Sequence, residues 1–115
     1  MALNIQIFGT KKCKESAKAE RYFKERRIPF HYRNLSEKGI SKGELDSICT
    51  AYSLEELLDT EGSQYKKRNL AYIRHDREYE LLNDPLLFKT PIVRNGRKVT
   101  VGYQPDVWKQ WSEDN

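Results

Sequence analysis

The chain begins with an alternation of apolar and polar positions that predicts a β-strand. In "LNIQIF" every second residue is apolar, and Gly9 ends the run. A second strand is predicted in "IPFHYRNL", after the breaker Pro29, with Phe30 and Tyr32 as its alternating apolar positions. Helix formers dominate between the two strands. This order predicts a parallel strand pair joined by a right-handed helical crossover.

The predicted crossover helix covers residues from about Lys14 to Arg26. Ser16, Ala19 and Phe23 fall on one stripe at helical spacing, with Tyr22 beside them. We therefore expect these four residues to form the inward face of the helix.

The middle of the chain is predicted to be helical. Ser41 and Ser53 are each followed three residues later by glutamate, the spacing of a capping box that opens a helix. Leu45, Ile48 and Cys49 share a helical stripe, and further helical segments are "SQYKKRNL" and "DREYELLND". The Asp84-Pro85 step is expected to end the last of these segments.

The C-terminal third predicts a β-hairpin followed by a helix. "PIVRNGRKVTVGY" has two β-rich runs around Asn95-Gly96, a dipeptide suited to the positive φ angles of a tight turn. "PDVWKQW" carries Val107, Trp108 and Trp111 at helical spacing. We predict one domain over residues 1–115, with a mixed four-stranded sheet, helices on both faces and a helical insertion. This order of elements is that of a thioredoxin-like α/β fold.

Charge and hydropathy narrow the class of protein and its partners. The 115 residues include 21 Lys and Arg against 17 Asp and Glu, a net charge of +4 with the two signs interleaved. This pattern favours solvated helix faces, so no direct nucleic-acid binding is expected. No apolar run is long enough to span a membrane, and "MALNIQIFG" lacks signal-peptide order. The two cysteines are expected to be reduced thiols in the cytoplasm.

Cys13 is the candidate catalytic nucleophile. It precedes the first helix, where free backbone N–H groups and the helix dipole stabilise an anion such as a thiolate. Lys11, Lys12 and Lys14 add positive charge around it. The alternative, a structural cysteine in the core, is disfavoured by these polar neighbours. Cys49 receives the opposite assignment, because it shares a stripe with apolar residues.

No bound metal or cofactor is expected. His31 and His75 have no ligand spacing with either cysteine, and no glycine-rich phosphate loop is present. Ser16, three residues after Cys13, cannot resolve a mixed disulfide, so an external thiol, glutathione or a glutaredoxin, is expected to complete any reaction of Cys13.

The chain resembles the ArsC family of thioredoxin-like proteins, which includes glutaredoxin-coupled arsenate reductases and the Spx-type transcription regulators. The resemblance rests on the strand-turn-Cys-helix start around Cys13, "RRIPFHYRNL", "ELDSI", "LLDTEGSQYKK" and, most specifically, "TPIVRNGRKVTVGYQPDVWKQW". It implies that Pro91 is a cis proline facing Cys13 and that Thr90 offers backbone groups to a thiol substrate. Together the candidate substrate-binding residues are Lys12, Lys14, Ser16, Thr90 and Pro91.

The resemblance also shows where this chain departs from the arsenate-reducing members. Three arginines that bind the oxyanion in those members correspond here to Asp59, Thr90 and Gln104. An arginine fork matches a tetrahedral oxyanion, and an aspartate repels one. We therefore expect arsenate to be a poor substrate, although Lys89 and Arg94 are possible partial substitutes.

The Spx-type members imply the alternative function, a redox-sensitive module that binds RNA polymerase without turnover. Those regulators commonly carry a Cys-x-x-Cys switch, whereas this chain has Ser16 three residues after Cys13. Their glycine for docking onto RNA polymerase corresponds to Ser53. The first hypothesis is therefore a monothiol oxidoreductase that acts on a small-molecule or protein thiol or disulfide.

Overall fold

The computed structural model describes residues 3–113, which its contacts divide into two compact units. The first, called the sheet unit, comprises the chain up to Asn34 and from Thr90 onward. The second, called the helical unit, is Leu35–Lys89 and is inserted in sequence between the second and third strands. A helical insertion was expected at this place. That the two units form one domain stays a prediction.

The sheet unit contains four strands and two helices. In chain order these are β1 (Ile5–Gly9), α1 (Lys14–Glu25), β2 (Phe30–Asn34), β3 (Ile92–Asn95), β4 (Lys98–Val101) and α6 (Pro105–Glu113). The sheet order is β2-β1-β3-β4, with β1 parallel to β2 and antiparallel to β3. The predicted mixed four-stranded sheet and its parallel β1–β2 pair are confirmed.

One face of this sheet carries a core to which both helices contribute. Its buried members come from β1, α1, β3 and α6, and they are Ile5, Ile7, Ala19, Tyr22, Phe23, Val93, Trp108 and Trp111. Partly buried Phe30 and Tyr32 pack against this cluster from β2. The stripe predicted for α1 is therefore its buried face, and Ser16 is buried with it. Burial of this apolar surface holds α1 and α6 against the strands.

The β3–β4 hairpin is present, but its turn differs in detail from the prediction. Asn95 is the last residue of β3 and pairs with Lys98, so Gly96 and Arg97 form the turn. Of these two turn residues, only Gly96 has a positive φ, at 61°. The Asn95 side chain is used elsewhere, because its Oδ1 accepts a hydrogen bond from the Asn4 amide at 3.0 Å. A turn with positive φ only at its first central residue requires glycine there and leaves the second position open to arginine.

The helical unit consists of short helices joined by turns. These are α2 (Lys42–Ile48), α3 (Leu54–Leu57), α4 (Ser63–Lys67) and α5 (Arg77–Asn83), with 3₁₀ turns at Leu70–Tyr72 and Pro85–Leu87. Both predicted capping boxes are present, at Ser41 and at Ser53. α5 ends before Asp84-Pro85, as the sequence predicts. Within residues 3–113, no helix is both long enough and apolar enough to cross a membrane.

An ion-pair cluster ties three segments of the helical unit together. Arg68 contacts Glu80 at 2.8 Å and Asp84 at 2.9 Å, and Gln64 donates to the same Asp84 carboxylate at 2.7 Å. Glu80 is buried, so its carboxylate needs this paired cation. The cluster explains why polar residues occupy inward positions of these short helices.

Candidate functional site

Cys13 is the N-cap residue of α1, and its sulfur is part of the cap. Its backbone is extended, and Sγ accepts a hydrogen bond from the Ser16 amide at 3.4 Å. The Cys13 carbonyl accepts the first helical hydrogen bond, from the Ala17 amide at 3.2 Å. The sulfur therefore occupies the position at which a helix start supplies unpaired N–H donors to a negative charge.

Thr90 and Pro91 lie beside this sulfur. The Cys13 thiol donates to the Thr90 carbonyl oxygen, with 3.6 Å between sulfur and oxygen. The Thr90-Pro91 peptide bond is cis, as the family resemblance implies, and Pro91 is buried. Ionisation of Cys13 removes its donor to Thr90, because a thiolate has no proton to give.

Ser16 and Tyr32 meet beside the end of β1, at Gly9. Ser16 is fully buried, and within residues 3–113 its Oγ has no hydrogen-bond partner of good geometry. A Cβ built on Gly9 would lie 2.5 Å from the Ser16 Oγ and 2.9 Å from the Tyr32 hydroxyl. Only glycine leaves room for both hydroxyl groups at this point of the strand. Tyr32 was predicted only as an apolar strand position, and its place beside Ser16 depends on strand pairing that a local pattern does not reveal.

Gly9→Ala is expected to destabilise the fold by about 1–3 kcal/mol, because the new methyl group overlaps Ser16 and Tyr32. Urea unfolding of wild type and variant measures this loss. Gly43→Ala in α2 is the matched control, since nothing lies within 4 Å of a Cβ built there. That control should be neutral or slightly stabilising, because alanine is a better helix former. Equal unfolding midpoints for the two variants would contradict the close approach at Gly9.

Lys12 and Lys14 flank the site as exposed side chains, and Lys11 is also exposed. Charges held in solvent act on the sulfur through a screened field and not through a fixed contact. The hydrogen bonds described above therefore place Ser16 and Thr90, with its neighbour Pro91, beside Cys13. The lysines are exposed close to Cys13 in the chain. Binding of substrate by any of these residues stays a prediction.

Cys49 continues the helical turn after Leu45 but is less buried than the other two residues of its stripe. It is the C-cap of α2 and is half-buried, while Leu45 and Ile48 are fully buried. Burial raises the pKa of the Cys49 thiol, and the negative charges of Asp46 and Glu78 raise it further. A raised pKa leaves less thiolate at neutral pH, which makes Cys49 the poorer nucleophile.

Iodoacetamide is therefore expected to alkylate Cys13 about tenfold faster than Cys49 in the native protein at pH 7.5. Cys13 lies at a helix start where Ser16 donates to its sulfur, whereas Cys49 lies at a helix end beside two carboxylates. Peptide-level mass spectrometry of quenched time points gives both rates in one sample. Equal rates, or faster labelling of Cys49, would overturn the assignment of the two thiols.

Two of the positions at which the family resemblance implies arginines lie outside the thiol site, and both residues make other hydrogen bonds. The Gln104 side-chain amide donates to the Val101 carbonyl at 2.9 Å, just before α6. Asp59 lies in the helical unit, where its amide donates to the Leu87 carbonyl at 2.8 Å. Gln104 and Thr90 are neutral and Asp59 is acidic, so none of these side chains supplies a cation for an oxyanion.

No group of three or more His, Cys, Asp or Glu side chains suited to a metal ion occurs between residues 3 and 113. Beside the Cys13 sulfur lie the Ser16 backbone amide and the Thr90 carbonyl.

Two curated relatives match nearly the whole chain. The protein YusI from Bacillus subtilis (strain 168) is 27% identical over 115 residues, covering 94% of this chain and 98% of that protein. The global transcriptional regulator Spx 2 from Oceanobacillus iheyensis is 26% identical, covering 97% of this chain and 96% of that protein. These identities span both the sheet unit and the helical unit.

A solved structure supports the same fold. An ArsC family related protein from Bacteroides fragilis superposes with a TM-score of 0.78 at 22% identity, covering 96% of this chain and 98% of that one. The model of the ArsC family matches residues 8–111, which include the thiol site, the helical unit and the hairpin. With this match and the mixed sheet that carries Cys13 at its first helix, the chain belongs to the ArsC family of thioredoxin-like proteins.

Proposed function

We propose that this chain is a monothiol oxidoreductase whose nucleophile is Cys13 and whose electrons come from glutathione, directly or through a glutaredoxin. The observation that carries the proposal is the position of the sulfur at the start of α1. There Sγ accepts a hydrogen bond from the Ser16 backbone amide, with 3.4 Å between nitrogen and sulfur. A backbone N–H that donates to the sulfur at a helix start is an arrangement used by nucleophilic cysteines.

The proposed reaction has two exchange steps. The Cys13 thiolate attacks the glutathione sulfur of a glutathione mixed disulfide, the S–S bond breaks, and the substrate half leaves as a thiolate. A glutathione thiolate then attacks the Cys13 mixed disulfide, which releases Cys13 and forms oxidised glutathione. The net reaction converts one mixed disulfide and one reduced glutathione into the free substrate thiol and one oxidised glutathione. The external thiol is required because Ser16, three residues from Cys13, has no sulfur with which to resolve the intermediate.

Thr90 and Pro91 are the proposed docking groups for the thiol substrate. The Thr90 carbonyl oxygen lies 3.6 Å from Sγ, and Pro91 follows it directly in the chain. Lys12 and Lys14 contribute a positive field that favours anionic substrates such as glutathione. A reducing compartment such as the cytoplasm fits two unpaired thiols.

Arsenate is disfavoured as the substrate. The positions that the family resemblance assigns to oxyanion-binding arginines hold Asp59, Thr90 and Gln104. Exposed lysines are point charges and replace a bidentate arginine only in part. A thiolate that attacks a doubly charged oxyanion at this site therefore lacks the bidentate arginines that would hold the oxyanion.

A coupled assay tests the proposal. Wild-type protein is given a glutathione mixed disulfide, reduced glutathione, glutathione reductase and NADPH, with and without a glutaredoxin, and arsenate replaces the disulfide in a parallel series. We expect turnover with the disulfide and little or none with arsenate. Robust turnover with arsenate alone would replace the proposed substrate class, and no turnover with any substrate would remove the enzymatic function.

The second candidate is a protein-binding module of the transcription machinery, and the similarity to Spx 2 supports it. One structural feature weighs against it. Ser53 stands where the regulators are expected to have a docking glycine. It caps α3, because its Oγ accepts a hydrogen bond from the Glu56 amide at 3.1 Å. Retention of purified RNA polymerase on the immobilised chain, without turnover in the coupled assay, would favour this function over the oxidoreductase.

A further inference from the structure

Two hydroxyl groups from different elements meet beside the nucleophile. The Ser16 Oγ of α1 and the Tyr32 hydroxyl of β2 both lie within 3 Å of the point where a Gly9 Cβ would be, at 2.5 Å and 2.9 Å. The parallel pairing of β1 and β2 sets this arrangement, because it aligns Tyr32 with Ile7, two residues before Gly9. The two oxygens are therefore neighbours across the backbone of the strand end.

The buried member of this pair needs a hydrogen-bond donor or acceptor. Ser16 is fully buried, and in the described part of the chain its Oγ has no partner of good geometry. Buried hydroxyl groups are nearly always satisfied, so an unsatisfied one beside a nucleophile suggests a function. The Tyr32 hydroxyl lies beside it, and Ser16 acts on the Tyr32 pKa as a side-chain hydrogen-bond partner, so the two hydroxyl groups can satisfy each other.

Burial and the nearby negative charges raise the pKa of Tyr32 and keep its hydroxyl protonated. Burial raises the pKa of the Tyr32 phenol, the negative charges of Glu20 and of ionised Cys13 raise it further, and the Ser16 hydroxyl acts in the opposite direction. Glu20 and Cys13 belong to α1 and its cap, and Gly9 of β1 has no side chain. Tyr32 is thus a neutral donor over the pH range in which a thiol near it ionises.

We propose that Tyr32 is a positioning residue for Cys13, because its hydroxyl pairs with the buried Ser16 Oγ and holds Ser16 in the place from which the Ser16 amide donates to Sγ. The link runs through one residue, because the Ser16 side chain lies beside the Tyr32 hydroxyl at Gly9 and the Ser16 backbone amide donates a hydrogen bond to Sγ at 3.4 Å. The inference deepens the proposed function, because it assigns a residue on the second strand to the activation of the nucleophile. It requires no substrate for its test.

The test is the pH profile of Cys13 alkylation in a Cys49→Ser background, which leaves one thiol. Tyr32→Phe removes only the hydroxyl and is expected to move the alkylation midpoint upward by about half to one pH unit. In a Ser16→Ala background the same change is expected to have no further effect, because residues acting through one another are not additive. Tyr22→Phe is the matched control, since Tyr22 lies in the same core and its hydroxyl is not among the groups at Gly9.

An unchanged or lowered midpoint in Tyr32→Phe overturns the proposal. A full shift caused by Tyr32→Phe in the Ser16→Ala background overturns the role of Ser16 as the link. An equal shift in Tyr22→Phe shows a general loss of packing and also overturns it. Alkylation needs neither substrate nor reductant, so a failure here is distinguishable from a failure of the proposed oxidoreductase activity, which the coupled assay measures.

Discussion

Cys13→Ser is expected to lower the turnover of a glutathione mixed disulfide by roughly a thousandfold or more, to the rate of the uncatalysed exchange. Serine keeps the size and the cap, because its Oγ accepts the Ser16 amide as Sγ does in the wild type. It loses the chemistry, since an alkoxide does not form at neutral pH and no S–S bond can be made to oxygen. The measurement is kcat/KM in the glutathione-coupled assay.

Cys49→Ser is the matched control for that result. It makes the same atomic change at the C-cap of α2, in the helical unit, where the thiol is half-buried. Its activity should stay within about twofold of wild type. Loss of activity in Cys49→Ser, or activity retained in Cys13→Ser, would show that Cys13 is not the sole nucleophile.

Trp108→Ala is expected to destabilise the protein by about 3–5 kcal/mol, a large share of the stability of a small domain. The indole is fully buried, and its ring lies 5.1 Å from Phe23 and 5.2 Å from Tyr22 between ring centroids. Its Nε1 donates to the Thr100 Oγ1 at 2.8 Å, so truncation also leaves a buried hydroxyl without its donor. Urea unfolding followed by circular dichroism gives the free-energy change.

Val107→Ala on the same helix controls for the loss of helix contacts in general. Val107 precedes Trp108 in α6 and is exposed. Its truncation should lower the free energy of unfolding by less than about 0.5 kcal/mol. A similar loss of stability in both variants would mean that Trp108 does not join α6 to the core of the sheet unit.

The elements of this fold could be predicted because each has a local cause. The alternation around Ile5 and Ile7 marks a strand with one buried face, and the stripe ending in Phe23 marks the inner face of α1. The serine caps of α2 and α3 depend on residues three apart, so they too are visible in the sequence. Local patterns also locate Cys13 at a helix start, since strand, glycine and helix formers follow one another there.

The parts that could not be predicted depend on pairing and on small shifts at element ends. Tyr32 reaches Gly9 and Ser16 only because β2 pairs with β1 in one register, which a pattern within either strand does not encode. Cys49 follows the helical spacing of Leu45, but it is the C-cap of α2 and is only half-buried, which the spacing does not reveal. The hairpin turn consists of Gly96 and Arg97 and not of the predicted Asn95-Gly96, because Asn95 pairs with Lys98 as the last residue of β3.

The central claim is that Cys13 forms the mixed disulfide intermediate and that an external thiol resolves it. Intact-mass and peptide mass spectrometry of the reduced protein after treatment with oxidised glutathione tests this claim most directly. The expected result is one glutathione per chain, carried by Cys13 and removed by added reduced glutathione with or without a glutaredoxin. A glutathione adduct on Cys49 with Cys13 unmodified, or a disulfide between the two cysteines of one chain, would contradict the monothiol mechanism.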